Sequence, residues 1–258
     1  TGIPPKGTGS ASSSWAVTRH VTVKNRSTKA TKGNRGICVV RGVCEGLPAG
    51  RMAPNYASAH YWNERYKHYP IPFDWYVDYH PIQHFLLHKI PVHSRILVVG
   101  CGNSLLSENL YEDGFQEITN VDVSSVVIDQ MEKRYKDTQF ADMKFIQGDC
   151  QDLPFQDQSF DVVIDKGTFD CIVCHEDVDK STKLYCSEVN RVLSGNGLFL
   201  VISHGNPEMR LRYVLRDEYP WKCQLNASLA SLIPRKSQDK DSNKANNDRS
   251  GGLVSHIL

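Results

Sequence analysis

The sequence contains no apolar run approaching about eighteen residues, the length a helix needs to cross a bilayer. It also contains no secretory h-region, so we expect neither a membrane span nor export. The eight cysteines are then expected to be thiols in the reducing cytosol, where most buried thiols pack as small hydrophobic side chains. At 258 residues and 40% hydrophobic, the chain can bury one sizeable core.

The two cofactor patterns that the cysteines suggest are also incomplete. Residues 171–175 read Cys-Ile-Val-Cys-His, which are the letters of a covalent haem attachment. They lie between an expected strand and an acidic helix start, and that attachment belongs to exported proteins. A zinc finger would need a second Cys/His pair at close spacing, which does not follow. We therefore expect neither haem nor metal.

Acidic residues are scarce at the beginning of the chain. Residues 1–51 hold nine lysines and arginines against the single acid Glu45, whereas the remainder holds 21 basic and 28 acidic residues. This segment is rich in Gly, Ser and Thr and has no helical periodicity, so we predict a disordered basic tail with no direct role in nucleic-acid binding. The first methionine of the chain is Met52, directly after this segment, and we expect residues 1–51 to lie upstream of the natural start. The predicted domain is then 52–234, followed by a polar, disordered tail at 235–258.

The chain is organised around residues 95–103, Arg-Ile-Leu-Val-Val-Gly-Cys-Gly-Asn. Ile96 to Val99 is a short apolar run typical of a strand buried on both faces. Gly100 and Gly102 let the backbone turn sharply and approach a ligand, and Ser104 can cap the helix that follows. A strand, a glycine turn and a helix in this order predict a nucleotide-type binding site.

The type of nucleotide is indicated by the next two strands. Ile118 to Val121 ends on Asp122, which can accept hydrogen bonds from both ribose hydroxyls of an adenosine. A dinucleotide fingerprint needs a third glycine, and its position is taken by Leu105. Lys144 to Gln147 then ends in Gly-Asp-Cys, which brings the second acid Asp149 to the same edge. Two acids suit a ligand with hydroxyls and an exocyclic amine but no phosphate, such as S-adenosylmethionine.

The rest of the chain completes an α/β pattern. Ser159 to Asp165 predicts a fourth buried strand, Leu198 to Ser203 a fifth and Lys222 to Ile233 a sixth. We predict a doubly wound, mostly parallel sheet in which only Leu253 to Leu258 could supply the last, antiparallel strand. Before the first strand, Trp62, Arg65 and Tyr66 share one face of a predicted helix. That face either packs aromatic side chains on the sheet or forms a lid over the ligand, with Arg65 near its carboxylate.

From Tyr61 to about Ile233 the sequence resembles the class I, seven-stranded S-adenosylmethionine-dependent methyltransferases. It is most similar to the eukaryotic group that methylates lysines of translation elongation factor 1-alpha. The matching segments are Tyr-Trp-Asn-Glu-Arg-Tyr (61–66), Phe-Asp-Trp-Tyr (73–76), Val-Gly-Cys-Gly-Asn-Ser (99–104), Val-Asp-Val-Ser (121–124), Gly-Asp-Cys (148–150) and Asp-Lys-Gly-Thr-Phe-Asp (165–170). The sequence departs from the group in its hydrophilic stretch after Ile233, and in Cys150 and Phe169, where relatives often carry Val and Leu.

The resemblance implies a cofactor and a set of site residues. The cofactor would be S-adenosylmethionine, and its contacts would fall on Trp62, Tyr66, Trp75, Gly100, Asp122, Val123, Asp149, Cys150 and Lys166. The 165–170 loop would be the activity motif. There we expect Asp165 and Asp170 to be the catalytic acids that hold an incoming ammonium group, and Tyr76 and Phe169 to line its channel.

The function expected from these features is lysine N-methylation of a protein, with elongation factor 1-alpha as the implied partner and the cytoplasm as the location. Two alternatives remain open at this point. One is a methyltransferase for small-molecule N or O acceptors, and the other is a non-catalytic scaffold that binds S-adenosylmethionine. A nicotinamide oxidoreductase ranks last, because a third glycine and a second catalytic domain are not visible. The sequence does not indicate an oligomeric state.

Overall fold

A computed structural model describes residues 22–23, 36–41, 55–219 and 221–225 of the chain. Within these residues seven helices accompany one eight-stranded sheet, with the strand order β1-β8-β2-β7-β6-β3-β4-β5. The strands are β1 Thr22–Val23, β2 Gly36–Arg41, β3 Ile96–Val99, β4 Ile118–Asp122, β5 Lys144–Gln147, β6 Phe160–Lys166, β7 Leu193–Ser203 and β8 Lys222–Leu225. The helices are α1 Ala59–His68, α2 His80–Lys89, α3 Leu106–Glu112, α4 Ser125–Tyr135, α5 Thr168–Ile172, α6 Val178–Val192 and α7 Pro207–Val214.

Five neighbouring strands pair in parallel, in the order β7, β6, β3, β4 and β5, and β5 is the last strand of the sheet. Both β3 and β4 are buried along their whole length. This burial is expected for strands that helices cover on both faces, and it explains their near-continuous apolar sequence. The predicted α/β class, doubly wound and mostly parallel, is therefore confirmed.

The two faces of the sheet carry separate hydrophobic layers. Ile96 and Val98 of β3 pack in one cluster with α2, α3 and α4, whereas Leu97 and Val99 pack in the other with α5, α6 and α7. This alternation follows from the two-residue period of a strand, which directs successive side chains to opposite faces. Helices thus pack on both faces of the central strands, and α1 packs against α4.

The segment Gly36–Arg41 forms β2, which pairs in parallel with β7 on one side and with β8 on the other. The expectation that residues 1–51 lie wholly outside the fold is wrong for this segment. Its sequence, Gly-Ile-Cys-Val-Val-Arg, is a local β-branched, apolar run, and a composition averaged over the basic tail conceals it. β1 pairs antiparallel with β8. The other residues of 1–51, and all of 235–258, lie outside the described residues.

Several predicted boundaries change in the second half of the chain. α6 begins at Val178, where the Asp177 side chain caps it by accepting a hydrogen bond from Lys180 N at 3.0 Å. β7 begins at Leu193, five residues before the predicted start at Leu198. β8 covers Lys222–Leu225 of the predicted sixth strand. The remainder of that prediction, and the seventh strand at 253–258, lie outside the described residues.

Among residues 22–23, 36–41, 55–219 and 221–225, no helix is long and apolar enough to span a bilayer. Within these ranges three or more His, Cys, Asp or Glu side chains do not gather in an arrangement that could hold a metal ion.

Candidate active site

The turn after β3 requires glycine at two positions. Gly100 has a φ of 61° and Gly102 a φ of 53°, in the left-handed region that side chains disfavour. A Cβ on Gly100 would overlap Thr168 Oγ1, and a Cβ on Gly102 would lie 2.7 Å from Tyr66 Oη. The backbone therefore passes so close to both neighbouring side chains that only glycine fits at these two positions.

Asp122, the last residue of β4, directs its carboxylate into this turn. Its side chain is 6% exposed and accepts hydrogen bonds from Gly102 N and Ser124 N, each at 2.9 Å. Burial raises the pKa of the carboxyl to about 6, although the two backbone hydrogen bonds oppose the shift. Each oxygen accepts one backbone hydrogen bond and keeps capacity for another. The carboxylate is thus held in place with acceptor sites to spare.

The other residues predicted beside Asp122 lie at the ends of β4 and β5. Val123 is half-buried, and its carbonyl accepts a hydrogen bond from Gln147 Nε2 at 3.5 Å. Asp149 is exposed, and its Oδ1 accepts from Gln151 N at 2.9 Å. Cys150 is half-buried, and burial raises the pKa of its thiol well above the usual range. The structure therefore brings these three residues to the same edge as Asp122.

An ion pair that sequence reasoning missed joins three parts of this edge. Lys166 Nζ, at the end of β6, lies 2.7 Å from Asp74 Oδ1, and both side chains are largely buried. Asp74 also accepts from Leu105 N at 3.3 Å and from the Ser104 hydroxyl at the start of α3. Burial lowers the pKa of Lys166, and the Asp74 carboxylate opposes this shift. Lys166 at a buried strand end was the available signal, because a buried cation needs a counter-ion.

Aromatic side chains from α1 and from the segment after it gather above the glycine turn. Trp62 stacks on Tyr66 with ring centroids 5.8 Å apart, and its ring meets Trp75 edge-on at 6.3 Å. The Arg65 guanidinium lies 5.2 Å from the Trp75 ring centroid, in cation–π range. Asn103 Nδ2 donates to two carbonyls of residues 69–71. The aromatic rings of α1 thus pack with one another and against the core, as one of the two expectations holds, and the lid over a ligand stays a prediction.

Asp165, predicted to be catalytic, is fully buried beneath α5. Its carboxylate accepts hydrogen bonds from Thr168 N and Phe169 N, both at 2.9 Å, and from Tyr185 Oη at 2.6 Å. Burial raises its pKa to about 7, against the opposing effect of these hydrogen bonds. All three contacts are internal to the protein, and they fix the beginning of α5 and the path of the loop.

Asp170, the second predicted catalytic acid, connects α5 to β7 and α7. It accepts hydrogen bonds from Ser203 Oγ at 2.6 Å and from His204 N at 3.1 Å, and it pairs with Arg210 Nη2 at 2.7 Å. The neighbouring Phe169 is fully buried in the core against Tyr185, so the expectation that it lines an acceptor channel is wrong. The loop sequence contains the acids but not the direction of their side chains, which packing against α6 and α7 decides.

Comparisons with known proteins agree with this geometry. Residues 91–253 match a protein-family model described as "Methyltransferase domain". The chain is 37% identical over 154 residues to the "eEF1A lysine and N-terminal methyltransferase" of Danio rerio, covering 59% of this chain and 22% of that protein. It is 38% identical over 156 residues to the Homo sapiens protein of the same name, again covering 22% of that protein.

A shorter relative matches over most of its own length. The chain is 33% identical over 176 residues to "EEF1A lysine methyltransferase 4" of Mus musculus, covering 64% of this chain and 68% of that protein. The larger relatives are several times longer than the segment they share with this chain. β3, the glycine turn after it and Asp122 all lie within the residues that match the family model. The chain therefore belongs to the methyltransferase domain family.

Proposed function

We propose that this chain is an S-adenosylmethionine-dependent protein-lysine N-methyltransferase that acts on translation elongation factor 1-alpha. The observation that carries the proposal is the buried Asp122 carboxylate, held against the glycine turn with acceptor capacity to spare. The names of the relatives, which specify lysine methylation of eEF1A, support the choice of acceptor. The charge of residues 52–258, with 28 acids against 21 basic residues, suits a basic protein partner.

The residues of the edge fit S-adenosylmethionine. The two Asp122 oxygens suit the two ribose hydroxyls, since each oxygen can accept a further hydrogen bond. Gly100 and Gly102 give this turn its left-handed backbone, and Thr168 and Tyr66 pack where their Cβ atoms would stand. The rings of Trp62, Tyr66 and Trp75 supply apolar and cation-attracting surface above the turn, and a sulfonium is a cation.

When bound, S-adenosylmethionine supplies a methyl group activated by a positively charged sulfur. The protein then has to place a neutral amine in line with that methyl group and exclude water. Asp122 orients the donor, and the Lys166–Asp74 ion pair holds the segment that carries Trp75 against the start of α3. These groups act by positioning, which for this reaction supplies much of the rate enhancement.

Asp165 and Asp170 belong to the same proposal in a changed role. Their carboxylates were predicted to hold the incoming ammonium, but their hydrogen bonds go to α5, Tyr185, β7 and Arg210. We assign them to positioning the 165–170 loop at the carboxyl ends of β6 and β7. Loss of either acid should lower turnover by displacing the loop, with little change in donor affinity.

We propose the cytoplasm as the place of action. All five cysteines that the structure describes with their side chains are free thiols, namely Cys101, Cys150, Cys171, Cys174 and Cys186. Free thiols are typical of a reducing compartment, and elongation factor 1-alpha works there as a translation factor. Thiol titration of the purified protein under native and denaturing conditions tests the first of these points.

The proposal is tested by donor binding followed by methylation. Calorimetry should detect S-adenosylmethionine binding, with no binding of NADH. Purified elongation factor 1-alpha, incubated with enzyme and isotope-labelled donor, should then yield methyl-lysine in peptide mass spectrometry. Asp122→Ala should strongly reduce the labelling at a limiting donor concentration, whereas Asp161→Ala, a change at the amino ends of the same strands, should retain it. Labelling of small molecules alone would favour the small-molecule alternative, and donor binding without labelling in a whole lysate would favour the scaffold.

A further inference from the structure

His204 lies directly after β7, at the edge where an acceptor must approach. Its side chain is 44% exposed, and its ring stacks on Tyr76 with centroids 5.6 Å apart and an interplanar angle of 17°. Tyr76 in turn borders Gly167, where a Cβ would lie 3.3 Å from Tyr76 Cε2. The imidazole is therefore one ring away from the loop that follows β6.

A short series of contacts connects this imidazole to the donor site. Thr168 Oγ1 donates to Val99 O at 2.9 Å and fills the space where a Cβ of Gly100 would stand. Gly167 precedes Thr168 and contacts the Tyr76 ring. The glycine turn, the loop, Tyr76 and His204 thus follow one another along the carboxyl edge of the sheet. In an open α/β sheet this edge is where ligands bind.

The backbone of Tyr76 is held in a costly conformation. Its φ is 67°, in the left-handed region, and Val77 N donates to Trp75 O at 2.8 Å to close a three-residue turn around it. A bulky side chain in this region strains the backbone, and such strain is concentrated at functional sites. Here the strained turn presents the Tyr76 ring to His204.

The position of His204 is fixed from the opposite side by charged groups. Its backbone N donates to Asp170 Oδ2 at 3.1 Å, and its Nδ1 lies 3.6 Å from Asp170 Oδ1. The groups that face the ring are thus Asp170 of α5 and Tyr76 of the preceding segment, while Arg210 of α7 pairs with the same Asp170 carboxylate. The imidazole Nδ1 therefore lies beside a carboxylate that is already held in place.

We propose that His204 is the general base that deprotonates the acceptor lysine, an inference that rests on the proposed function. The ammonium gives one proton to the imidazole, which becomes imidazolium beside Asp170. The freed nitrogen lone pair then forms the N–CH3 bond as the S–CH3 bond breaks, and the electrons of that bond remain on the sulfur. The imidazolium returns its proton to water. The step answers a need of the reaction, because only about one lysine in 2,500 is neutral at pH 7.

The test is the pH dependence of kcat/KM, with elongation factor 1-alpha as the acceptor, for the wild type and for His204→Gln and His204→Phe. The Phe variant keeps a flat ring against Tyr76 but cannot accept a proton. Both variants should lose about 100-fold at pH 7, within the usual contribution of a general base. Without the base, only the neutral amine reacts, so the loss should shrink about tenfold per pH unit up to pH 9. His88→Gln, on the exposed side of α2, should match the wild type.

The outcomes separate a proton-transfer role from a structural one. Donor affinity by calorimetry should be unchanged in both variants, which also verifies that they fold. A loss of activity that is constant from pH 6 to pH 9, or full activity in His204→Phe, would overturn the assignment and leave the proposed function standing. If the wild type methylates no lysine of elongation factor 1-alpha, the proposed function and the role of His204 both fail.

Discussion

The protonation of Asp122 should control the affinity for S-adenosylmethionine. Burial raises the pKa of this carboxyl to about 6, so the group changes charge within an easily measured range. Its ionised form can accept from both ribose hydroxyls, whereas the protonated form loses acceptor capacity and strength. We therefore expect donor affinity to fall as the pH is lowered through 6.

The size of the effect follows from this pKa. With a pKa of about 6, about nine tenths of the carboxyls are ionised at pH 7 and about one tenth at pH 5, so the dissociation constant should rise about tenfold. Asp122→Asn removes the charge at every pH. The loss of a charge-assisted hydrogen bond is worth about 1.5–3 kcal/mol, which weakens binding roughly 10- to 150-fold at pH 7.

Calorimetric titrations of the donor between pH 5 and pH 7 test both expectations together. The wild type should show the tenfold change, and Asp122→Asn should show weak binding with no such slope. Asp161→Asn is the matched control, because Asp161 pairs with Arg95 at the opposite edge and its pKa is lowered to about 2. Wild-type affinity that stays flat across this range would refute the role given to the Asp122 charge.

Three further changes test the glycine turn, Asp165 and β2. Gly102→Ala should weaken donor binding at least about tenfold, because its Cβ would meet Tyr66 Oη, and Tyr66→Phe should recover part of the loss in the double variant. The folded pKa of Asp165, about 7, lies above its unfolded value, so its stabilising contribution is lost as pH rises through 7. Urea unfolding should therefore show that the free energy of unfolding of the wild type falls, relative to that of Asp165→Asn, by about 1.4 kcal/mol per pH unit between pH 5 and 6.5. Deleting residues 1–51 removes β2 from between β7 and β8 and should lower Tm by several degrees in circular dichroism, and an unchanged Tm would contradict that strand.

Much of the fold was predictable because its signals are local. Ile96–Val99 and Lys144–Gln147 form strands with the predicted bounds, because each is a short segment with apolar residues between turn residues. β2 was missed because its six residues stand within a basic, Gly- and Ser-rich segment whose average composition indicates disorder. A local run therefore decided the structure where the segment average pointed elsewhere.

The candidate site divides along the same line. The glycine turn and Asp122 could be placed from the sequence, because parallel strands bring their carboxyl ends to one edge whatever packs around them. The partners of Asp165 and Asp170 could not, since the direction of each side chain depends on residues far along the chain, Tyr185 and Arg210.

The sequence by itself determined the family, the glycine turn and the position of Asp122 beside that turn, because each depends on short motifs and on the two-residue period of strands. Only the tertiary structure decided that Lys166 pairs with Asp74 and that Tyr76 meets His204. Both contacts join segments about ninety or more residues apart. The ion pair forms because a buried charge needs a counter-ion, and the ring contact forms because side chains pack closely at this end of the sheet. Both conditions depend on the folded chain and cannot be read from the local sequence.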